Sequence, residues 1–406
     1  MKELKNIYAL AYIETIERAK FYSRFEGVNI VFLTSNVSVY LYLKVKKSMV
    51  YFIRRKKINK IENEIKFLIS KGLDNSLDVK LKNISYTEAQ ITYKLIYQKL
   101  TYLHQKYGFN YFFIWNGCKL GDFACKDFAY KHNISTLYFE IANIPGKMFI
   151  DNQGTNKNSS IYSNPEKLDY ISSVNKKKYE VWKKEYVEIK KNKFVLPQSK
   201  HVMKLKSLLS ASLNILSIIL GISIKNKVYY YNLKVLFKSK TKIIKSNAID
   251  IYKEKYVFVP LQVSNDTQII INSDVSLKYL IDYAYEYAKS NSIKLVIKPH
   301  PAERNDNILR YVNSLKENDD NIIVSNDNTM KLIENSELVI TINSTVGLEA
   351  LIMGKKVEFL GYSFYSKFNN NRLINYVMSY LNNIDYFGQE KISQKIIYKL
   401  LENMER

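Results

Sequence analysis

Short apolar runs alternate along the chain with longer amphipathic stretches. In the first half, apolar runs at 28–36, 111–117 and 133–140 predict buried strands, and the stretches 61–107 and 122–132 predict helices. Strands that alternate with helices are typical of a parallel sheet with right-handed crossovers. The pattern therefore predicts a doubly wound α/β domain at the N-terminal end.

The second half repeats this alternation with cleaner boundaries and predicts a second parallel sheet covered by helices. The predicted strands cover 256–262, 294–300, 321–326, 337–343 and 356–361, and the predicted helices cover 275–290, 305–315, 329–335 and 345–353.

The two patterns divide the chain into four parts. We predict a Rossmann-like domain over 1–165, a lysine-rich helical connector over 166–250, a second Rossmann-like domain over 251–390 and a C-terminal helix over 391–406. Two doubly wound domains of this kind are expected to face a cleft lined by the carboxyl ends of their strands. The last helix is expected to pack across the cleft side or on the first domain.

The chain is strongly basic, with a net charge of +24 and 62 Lys+Arg against 38 Asp+Glu. Such a balance favours anionic partners. Despite 34 tyrosines, the sequence contains no RNA-binding aromatic motif and no helix-turn-helix pattern, so nucleic acid is not expected as a partner.

An apolar run at 207–224 lies next to this excess of lysines. Serines, an asparagine and a glycine dilute the run, so it is not expected to span a membrane. Residues 176–206 hold eleven lysines against three glutamates, which suits a surface on anionic lipid. The alternative is a core helix between domains with a solvated lysine face.

The N-terminal residues lack the features of a signal peptide, and the two cysteines, Cys118 and Cys125, do not form a disulfide framework. We therefore expect a cytoplasmic protein that is peripheral on the inner face of the membrane.

Several common ligand motifs are absent from the sequence. There is no P-loop, no GxGxxG fingerprint, no DxD pair and no Cys/His spacing typical of zinc. A nucleotide-sugar site in this chain is therefore expected to hold its phosphate with a helix N-terminus and basic side chains, without a metal or other cofactor.

Polar clusters follow three predicted strands of the second half, where α/β sheets bind ligands. Ser344 is a good N-cap for a helix whose N-terminus suits a phosphate, and Gly347 is expected to permit close approach of a ligand. Each feature also has a plainer interpretation as a helix cap or a turn residue. The candidate residues are Gln262, Asp266 and Gln268 after the first strand, Lys298, His300, Pro301 and Arg304 after the second, and Ser344, Thr345 and Glu349 after the third.

A second group of candidates lies in the first half. Asn116 ends a predicted strand, Glu140 ends the next, and IDNQGTN adds Asp151, Gly154 and Asn156. We expect these residues to line the same cleft, although Asp-x-x-Gly is also a common turn.

Four stretches together resemble the bacterial capsule polysaccharide β-Kdo transferases that prime capsule export. They are FEIANIPGKMFIDNQGTN, VPLQVSNDTQI, VIKPHPAE and TINSTVGLEALIMGKKV, in the order typical of that family. The resemblance implies a GT-B fold and transfer of Kdo, an anionic keto-sugar acid, from CMP-Kdo with retention of configuration. It further implies lysophosphatidylglycerol or a growing Kdo linker as the acceptor, and other capsule biosynthesis and export proteins as partners.

The resemblance also implies roles for individual residues. His300-Pro301 and the helix start with Ser344, Thr345 and Glu349 resemble the CMP-binding elements, and Gln262 looks like a donor-site residue. Asp151 looks like the catalytic carboxylate, which would form a covalent sugar intermediate.

Elementary chemistry is compatible with these roles. Lys298 and Arg304 lie beside His300 and are able to pair with the carboxylate of Kdo. A protonated His300 would neutralise the departing phosphate. A single module fills the chain, which favours the member that adds the first Kdo to lipid.

Two other functions remain open. A polysialyltransferase-like GT-B enzyme would also use a CMP-activated keto-sugar acid, but the first half lacks the acidic-acidic-Gly motif of that group. A non-catalytic binder built on lysines belongs to a different class.

Overall fold

The computed structural model describes residues 7–55, 72–171, 175–192, 204–230, 253–303 and 306–405. The chain forms two compact units. The first comprises residues 1–160, 202–238 and 381–406, and the second comprises residues 161–201 and 239–380.

The first unit is built on a six-stranded sheet of order β3-β2-β1-β4-β5-β6, in which only β6 is antiparallel to its neighbour. The apolar runs predicted β2, β4 and β5 but not β1, β3 or β6. The strands are β1 (Tyr8–Tyr12), β2 (Asn29–Thr34), β3 (Val50–Phe52), β4 (Tyr111–Trp115), β5 (Ser135–Ile141) and β6 (Met148–Asp151).

Helices cover both faces of this sheet, as alternate residues of β4 show. Phe112 and Ile114 join one buried cluster, while Phe113 and Trp115 join the cluster on the other face. The main helices of the unit are Ile16–Tyr22, Val37–Val45, Tyr86–Tyr107, Leu120–Lys131, Lys204–Ile219 and Gln394–Glu405.

The long helix predicted over 61–107 is shorter than expected within the described residues. It begins at Tyr86, because the Ser85 side chain caps it by accepting a hydrogen bond from the Glu88 N–H. Two short turns, Leu73–Asn75 and Leu77–Lys80, precede it, so the prediction is wrong for residues 72–85, and residues 61–71 lie outside the described ranges.

The C-terminal helix packs on the first unit, one of the two placements expected. Its Ile397 and Leu400 join the cluster that contains Phe25 and Ile392. The backbone pairs Ile392 with Arg24, through an N–H···O=C bond of 2.8 Å.

The second unit contains a five-stranded, fully parallel sheet of order β11-β10-β7-β8-β9. All five strands were predicted from the apolar runs. They are β7 (Tyr256–Pro260), β8 (Lys294–Lys298), β9 (Ile322–Val324), β10 (Leu338–Thr341) and β11 (Val357–Phe359), and the main helices are Lys176–Asn192, Leu277–Ser290, Asp306–Asn318, Thr329–Asn335 and Thr345–Ile352.

The order of strands in the second unit reverses at β7. The chain winds from β7 to β8 and β9 on one side, and β10 and β11 lie on the other. Ligands of doubly wound sheets bind beyond the carboxyl ends of the strands at such a switch point. The α/β class and its two Rossmann-like units, which are the components of a GT-B fold, are confirmed.

The lysine-rich segment predicted as one connector is divided between the units. Helix Lys176–Asn192 belongs to the second unit, and helix Lys204–Ile219 belongs to the first. Among the helices in the described ranges, none has the length and apolar character needed to cross a bilayer.

Candidate functional site

Side-chain hydrogen bonds join the carboxyl ends of β7 and β10. Gln262 donates from Nε2 to Oδ1 of Asn343 at 3.0 Å, and both side chains are buried. Asn343 Nδ2 donates in turn to the carbonyls of Gln268 and Asn272, at 2.9 and 2.8 Å. The predicted donor-site residue Gln262 therefore shapes this edge of the sheet through Asn343.

The turn after β8 holds His300 in a defined tautomer. Its Nδ1 accepts the backbone N–H of Ala302 at 3.1 Å, so the neutral ring carries its proton on Nε2. Burial lowers the pKa of His300, although the carboxylates of Asp266 and Glu303 act in the opposite direction. The ring is therefore expected to be neutral near pH 7 and to offer one N–H donor, in place of the cation considered from the sequence.

Glu303 connects this turn to the loop after β7. Its buried carboxylate accepts the Ser264 N–H at 2.7 Å and the Ser264 hydroxyl at 3.1 Å. Together with the pair between Gln262 and Asn343, this contact makes the ends of β8, β7 and β10 one continuous edge.

Lys298 is directed to the next loop of the sheet. Its Nζ donates to the carbonyl of Asp327 and to Oγ1 of Thr329, the latter at 3.0 Å. Burial lowers the pKa of Lys298. Lys298 thus supports the start of helix Thr329–Asn335, and Arg304, the other predicted cation, lies outside the described residues.

Ser344 caps helix Thr345–Ile352 as predicted, because its Oγ accepts the Val346 N–H at 3.1 Å. Gly347 has a different role from the one expected. A Cβ at this position would lie 2.4 Å from a ring carbon of Phe359 in β11. The glycine therefore permits close packing of the helix on the strand. It does not serve the approach of a ligand to the helix.

Glu349 forms a buried ion pair inside the second unit. Its Oε1 accepts from Lys190 Nζ at 2.8 Å and from the Tyr186 hydroxyl at 3.3 Å, and the residue is only 5% exposed. Burial and the carboxylate raise the pKa of Tyr186. The carboxylate that the resemblance assigns to CMP binding is thus already paired with helix Lys176–Asn192.

Asp266 and Gln268 have the geometry of a loop cap. Asp266 accepts the Gln268 N–H at 2.8 Å and caps the short turn Thr267–Ile270. Gln268 Oε1 accepts from Asn272 Nδ2 at 3.2 Å. Both side chains therefore hold the loop that follows β7, in line with the plainer of the two interpretations.

In the first unit, Asp151 is the centre of a tight loop. Its Oδ1 accepts the N–H groups of Gln153 (2.7 Å) and Gly154 (3.1 Å). Its Oδ2 accepts the hydroxyl and the N–H of Ser160, at 2.7 and 3.0 Å. Gly154 is required there, since a Cβ would lie 2.7 Å from the Asn158 carbonyl oxygen. Asp151 is 4% exposed, and both its oxygens serve the loop.

Asn116, Glu140 and Asn156 are brought together next to this loop. Asn156 Nδ2 donates to Oε2 of Glu140 at 3.0 Å, and Asn116 Nδ2 reaches Oε1 at 3.5 Å. Both asparagines have positive φ, at 52° and 57°, a conformation that costs free energy for residues other than glycine. Glu140 is partly exposed, so it is the more accessible carboxylate of the two.

Within the described ranges, no three His, Cys, Asp or Glu side chains are grouped as a metal site. Cys118 and Cys125 are buried free thiols.

Sequence analysis did not identify Lys190, Tyr186 and Asn343 as parts of the second unit's polar network. Lys190 is 159 positions from Glu349, and Gln262 is 81 positions from Asn343. Partners so distant leave no spacing signal, although the position of Asn343 directly before Ser344 marks a strand end.

Residues 120–368, more than half of the chain, match the family described as capsule polysaccharide biosynthesis protein, and the chain belongs to that family. The resemblance inferred from the four sequence stretches is thereby confirmed at the level of capsule biosynthesis.

Among curated relatives, Protein FixF of Sinorhizobium fredii strain NBRC 101917 / NGR234 is 37% identical over 115 residues, which cover 27% of each chain. The capsule polysaccharide export protein KpsS of Escherichia coli is 32% identical over 143 residues, or 32% of this chain and 36% of the relative. The chain thus aligns with about a quarter to a third of the length of these relatives.

Among solved structures, a β-Kdo 2,7 transferase, KpsC of Thermosulfurimonas dismutans, is 15% identical with a TM-score of 0.41, over 98% of this chain and 99% of the other. A UDP-GlcNAc 2-epimerase of Neisseria meningitidis is 14% identical with a TM-score of 0.31, over the same shares of the two chains. Both similarities are distant.

Proposed function

We propose that the protein is a retaining glycosyltransferase that moves Kdo from CMP-Kdo onto a phosphatidylglycerol or lysophosphatidylglycerol acceptor, as the first step of a capsule linker. One observation carries the proposal. The three motifs that resemble CMP-binding elements share one continuous edge of the second sheet, joined by Glu303 to Ser264 and by Gln262 to Asn343. Membership of the capsule biosynthesis family supports it.

At this edge, we assign His300 to the CMP phosphate. Its neutral ring presents Nε2–H as a donor, and an approaching phosphate favours protonation of the ring. The capped N-terminus of helix Thr345–Ile352 adds the positive end of a helix dipole to the same edge. Phosphate binding by these groups requires no metal.

Retention requires two displacements at the anomeric carbon. In the first, a carboxylate oxygen bonds to that carbon while the bond to the CMP phosphate oxygen breaks and CMP departs with the electron pair. In the second, the acceptor hydroxyl oxygen bonds to the carbon, the carboxylate is released, and the hydroxyl proton passes to a base.

Two carboxylates of the first unit are candidates for this nucleophile. The resemblance assigns Asp151, whereas the geometry favours Glu140. Both oxygens of Asp151 already accept hydrogen bonds from the loop, and the residue is buried. Glu140 is partly exposed and is oriented by two asparagine amides.

The transfer itself is tested by incubating the protein with CMP-Kdo or CMP-sialic acid and a fluorescent lysophosphatidylglycerol, followed by mass spectrometry of the lipid. We expect the mass of one added Kdo. Transfer of sialic acid alone would favour the polysialyltransferase-like alternative, and no transfer from either donor would contradict the proposal.

We further propose that helix Lys204–Ile219 holds the protein on the inner face of the membrane, near its lipid acceptor. Its polar face is the buried one. Asn214 and Ser217 are nearly fully buried, and Asn214 and Ser210 hydrogen bond to Ser38 of the neighbouring helix.

The opposite face of this helix is apolar and exposed. Four leucines at helical spacing, Leu209, Leu213, Leu216 and Leu220, are between 42% and 63% exposed. An exposed apolar stripe of this kind marks an interaction surface. Exposed lysines at 225 and 227 follow it, so the surface suits an anionic bilayer. We call these four leucines the leucine stripe.

A further inference from the structure

The two asparagines that contact Glu140 both adopt a left-handed backbone conformation. Asn116 directly follows β4, and Asn156 lies in the loop after β6. A positive φ is unfavourable for a residue with a side chain, although asparagine tolerates it better than most. The orientation of the Glu140 carboxylate therefore depends on the contacts that hold these two residues in place.

The backbone of Asn116 is held on both sides. Its N–H donates to the carbonyl of Phe139 at 3.0 Å, directly after the last paired residues of β4 and β5. Its carbonyl accepts the hydroxyl of Thr155 at 2.8 Å. Since Thr155 is 39 positions away, this second bond joins the loop after β4 to the loop after β6.

The side chain of Thr155 serves this contact and not the cap of its own turn. Thr155 precedes the short turn Asn156–Asn158, at a position where a threonine side chain usually accepts a backbone N–H of the turn. Within the described residues of this loop, the side chain makes no such bond. Thr155 is 2% exposed, so its bond to Asn116 is shielded from water.

The same hydroxyl lies next to the second asparagine. Thr155 Oγ1 is 3.5 Å from Asn156 Nδ2, the nitrogen that donates to Glu140 Oε2 at 3.0 Å. A hydroxyl is able to donate one hydrogen bond and to accept two. Thr155 thus contacts the backbone of one asparagine and the amide of the other, and both amides face the Glu140 carboxylate.

We propose that Thr155 is a positioning residue for Glu140. Its hydroxyl fixes the backbone of Asn116 and the amide of Asn156, and the two amides set the direction of the carboxylate. This inference rests on the proposed function, in which Glu140 is the nucleophile that the geometry favours. The rate of a displacement depends steeply on the placement of the nucleophile, so loss of the Thr155 hydroxyl is expected to slow transfer while the fold is retained.

The test compares two threonines whose hydroxyls bond to backbone carbonyls in this part of the first unit. Thr155→Val removes the hydroxyl at nearly constant shape, and Thr155→Ser retains it. Thr136→Val is the matched control. Thr136 lies on β5, as Glu140 does, and its Oγ1 donates to the carbonyl of Asn152 in the loop after β6, at 3.2 Å.

Single-turnover transfer from CMP-Kdo measures the chemical step, and its dependence on donor concentration measures donor binding. We expect Thr155→Val to lower the maximal rate by about tenfold or more, because a small displacement of a reacting group has an effect of this size. Donor binding should change by less than about twofold, since the proposed CMP edge belongs to the second unit. Thr155→Ser should restore the rate.

Thermal melting separates this role from general support of the loop. Thr136→Val and Thr155→Val each lose one hydrogen bond to a backbone carbonyl, so we expect similar decreases in melting temperature. Thr136→Val should nevertheless transfer sugar at the rate of the parent protein.

The side-chain amides of Asn116 and Asn156 give a readout that requires no transfer. Their ¹H–¹⁵N signals are assigned with Asn116→Asp and Asn156→Asp. We expect both signals to shift in Thr155→Val, as they should in Glu140→Gln. Thr136→Val should leave them unchanged.

A parent-like rate in Thr155→Val, or an equal loss of rate in Thr136→Val, would overturn the positioning role. Unchanged asparagine signals in Thr155→Val would overturn the coupling between the hydroxyl and the amides. Failure of the proposed function gives a different result: the parent protein transfers no sugar, yet the signals still depend on the Thr155 hydroxyl. The orientation of Glu140 by Thr155 would then stand without a role in transfer.

Discussion

At the scale of single residues, the first unit presents two carboxylates with different surroundings. Asp151 accepts hydrogen bonds from three backbone N–H groups and one hydroxyl, and it is 4% exposed. Glu140 faces two amides and is partly exposed. A carboxylate whose oxygens accept several backbone donors is well suited to hold a loop, whereas a nucleophile needs an oxygen that a substrate is able to reach.

Substitution of each carboxylate by its amide separates these two roles. Asp151→Asn places an N–H against the Ser160 donors, so we expect a loss of about 1–3 kcal/mol in the free energy of unfolding. Glu140→Gln should leave the melting temperature unchanged and lower Kdo transfer at least about a hundredfold. A sugar adduct trapped on Asp151 and detected by mass spectrometry, with full activity in Glu140→Gln, would show the opposite assignment.

His300 gives a prediction for pH. Because its pKa is lowered in the folded chain, the unfolded chain binds a proton near pH 6.5 that the folded chain does not. Stability from this group is therefore complete at higher pH and is lost as pH falls below about 6.5. We expect His300→Gln to reduce the drop in melting temperature between about pH 7.5 and pH 5.5.

The same melting measurements on Asp266→Asn serve as a comparison, since the Asp266 carboxylate favours the protonated ring of His300. Its variant should steepen the drop in melting temperature. An identical pH dependence in the parent protein and in His300→Gln would contradict the role of burial at this residue.

At the scale of elements, helix Lys176–Asn192 shows how a basic segment is anchored. It buries Tyr179 and Tyr186. Its last carbonyls, at Lys190 and Lys191, accept from Asn328 Nδ2 at 3.1 Å. Lysines at the C-terminal end of a helix also complement its dipole. The end of this helix is therefore fixed on the second unit, although its sequence alone suggests only a charged surface.

Loss of the ion pair at this helix end is expected to destabilise the second unit. Lys190→Met leaves the buried Glu349 carboxylate with Tyr186 as a weaker partner, at a cost of roughly 2 kcal/mol in the free energy of unfolding. Thermal or denaturant unfolding measures the change. Lys184→Met, an exposed lysine on the same helix, is the control and should have little effect. Equal stabilities of the two variants would contradict the importance of the pair.

At the scale of the whole molecule, the proposed membrane contact rests on two features, the charge of +24 and the leucine stripe. Charge draws a protein to an anionic bilayer, and inserted apolar side chains hold it there. The leucine stripe is exposed because helix Lys204–Ile219 buries its polar face. It assigns the proposed contact to one face of one helix, whereas the lysines are spread over a longer part of the chain.

Replacement of three stripe residues, Leu213, Leu216 and Leu220, by serine is expected to weaken sedimentation with vesicles that contain phosphatidylglycerol by about tenfold or more, at about 1 kcal/mol for each inserted leucine. The fold should be retained, because these side chains are already exposed. Val181→Ser with Ile189→Ser, two exposed apolar residues on the other basic helix, is the matched control.

Unchanged vesicle binding in the triple serine variant would contradict this surface. Replacement of the lysines at 176–178 and 183–184 by glutamine tests the lysine-rich helix separately. A large loss of vesicle binding in that variant alone would show that helix Lys176–Asn192, and not the leucine stripe, contacts the membrane.

The strands of the second unit were readable from the sequence because each is a short apolar run that ends in turn-forming or polar residues. Strand β1 was not, although it lies near the centre of the first sheet. Its five residues, YALAY, are apolar, but two of them are alanines, which are depleted in strands, and its burial depends on β2 and β4 from distant positions in the chain. A strand of this kind is defined by its neighbours.

By itself, the sequence determined the α/β class, the two sheets, the Ser344 cap and the capsule family, because local propensity, periodicity and motif order carry that information. Only the tertiary structure decided that Glu349 pairs with Lys190, that Gly347 serves packing against Phe359, and that Asp151 holds a loop. The physical reason is that burial and hydrogen bonding join residues far apart in the chain. The chemistry available to a carboxylate, a lysine or a leucine therefore follows from the partners that folding brings to it.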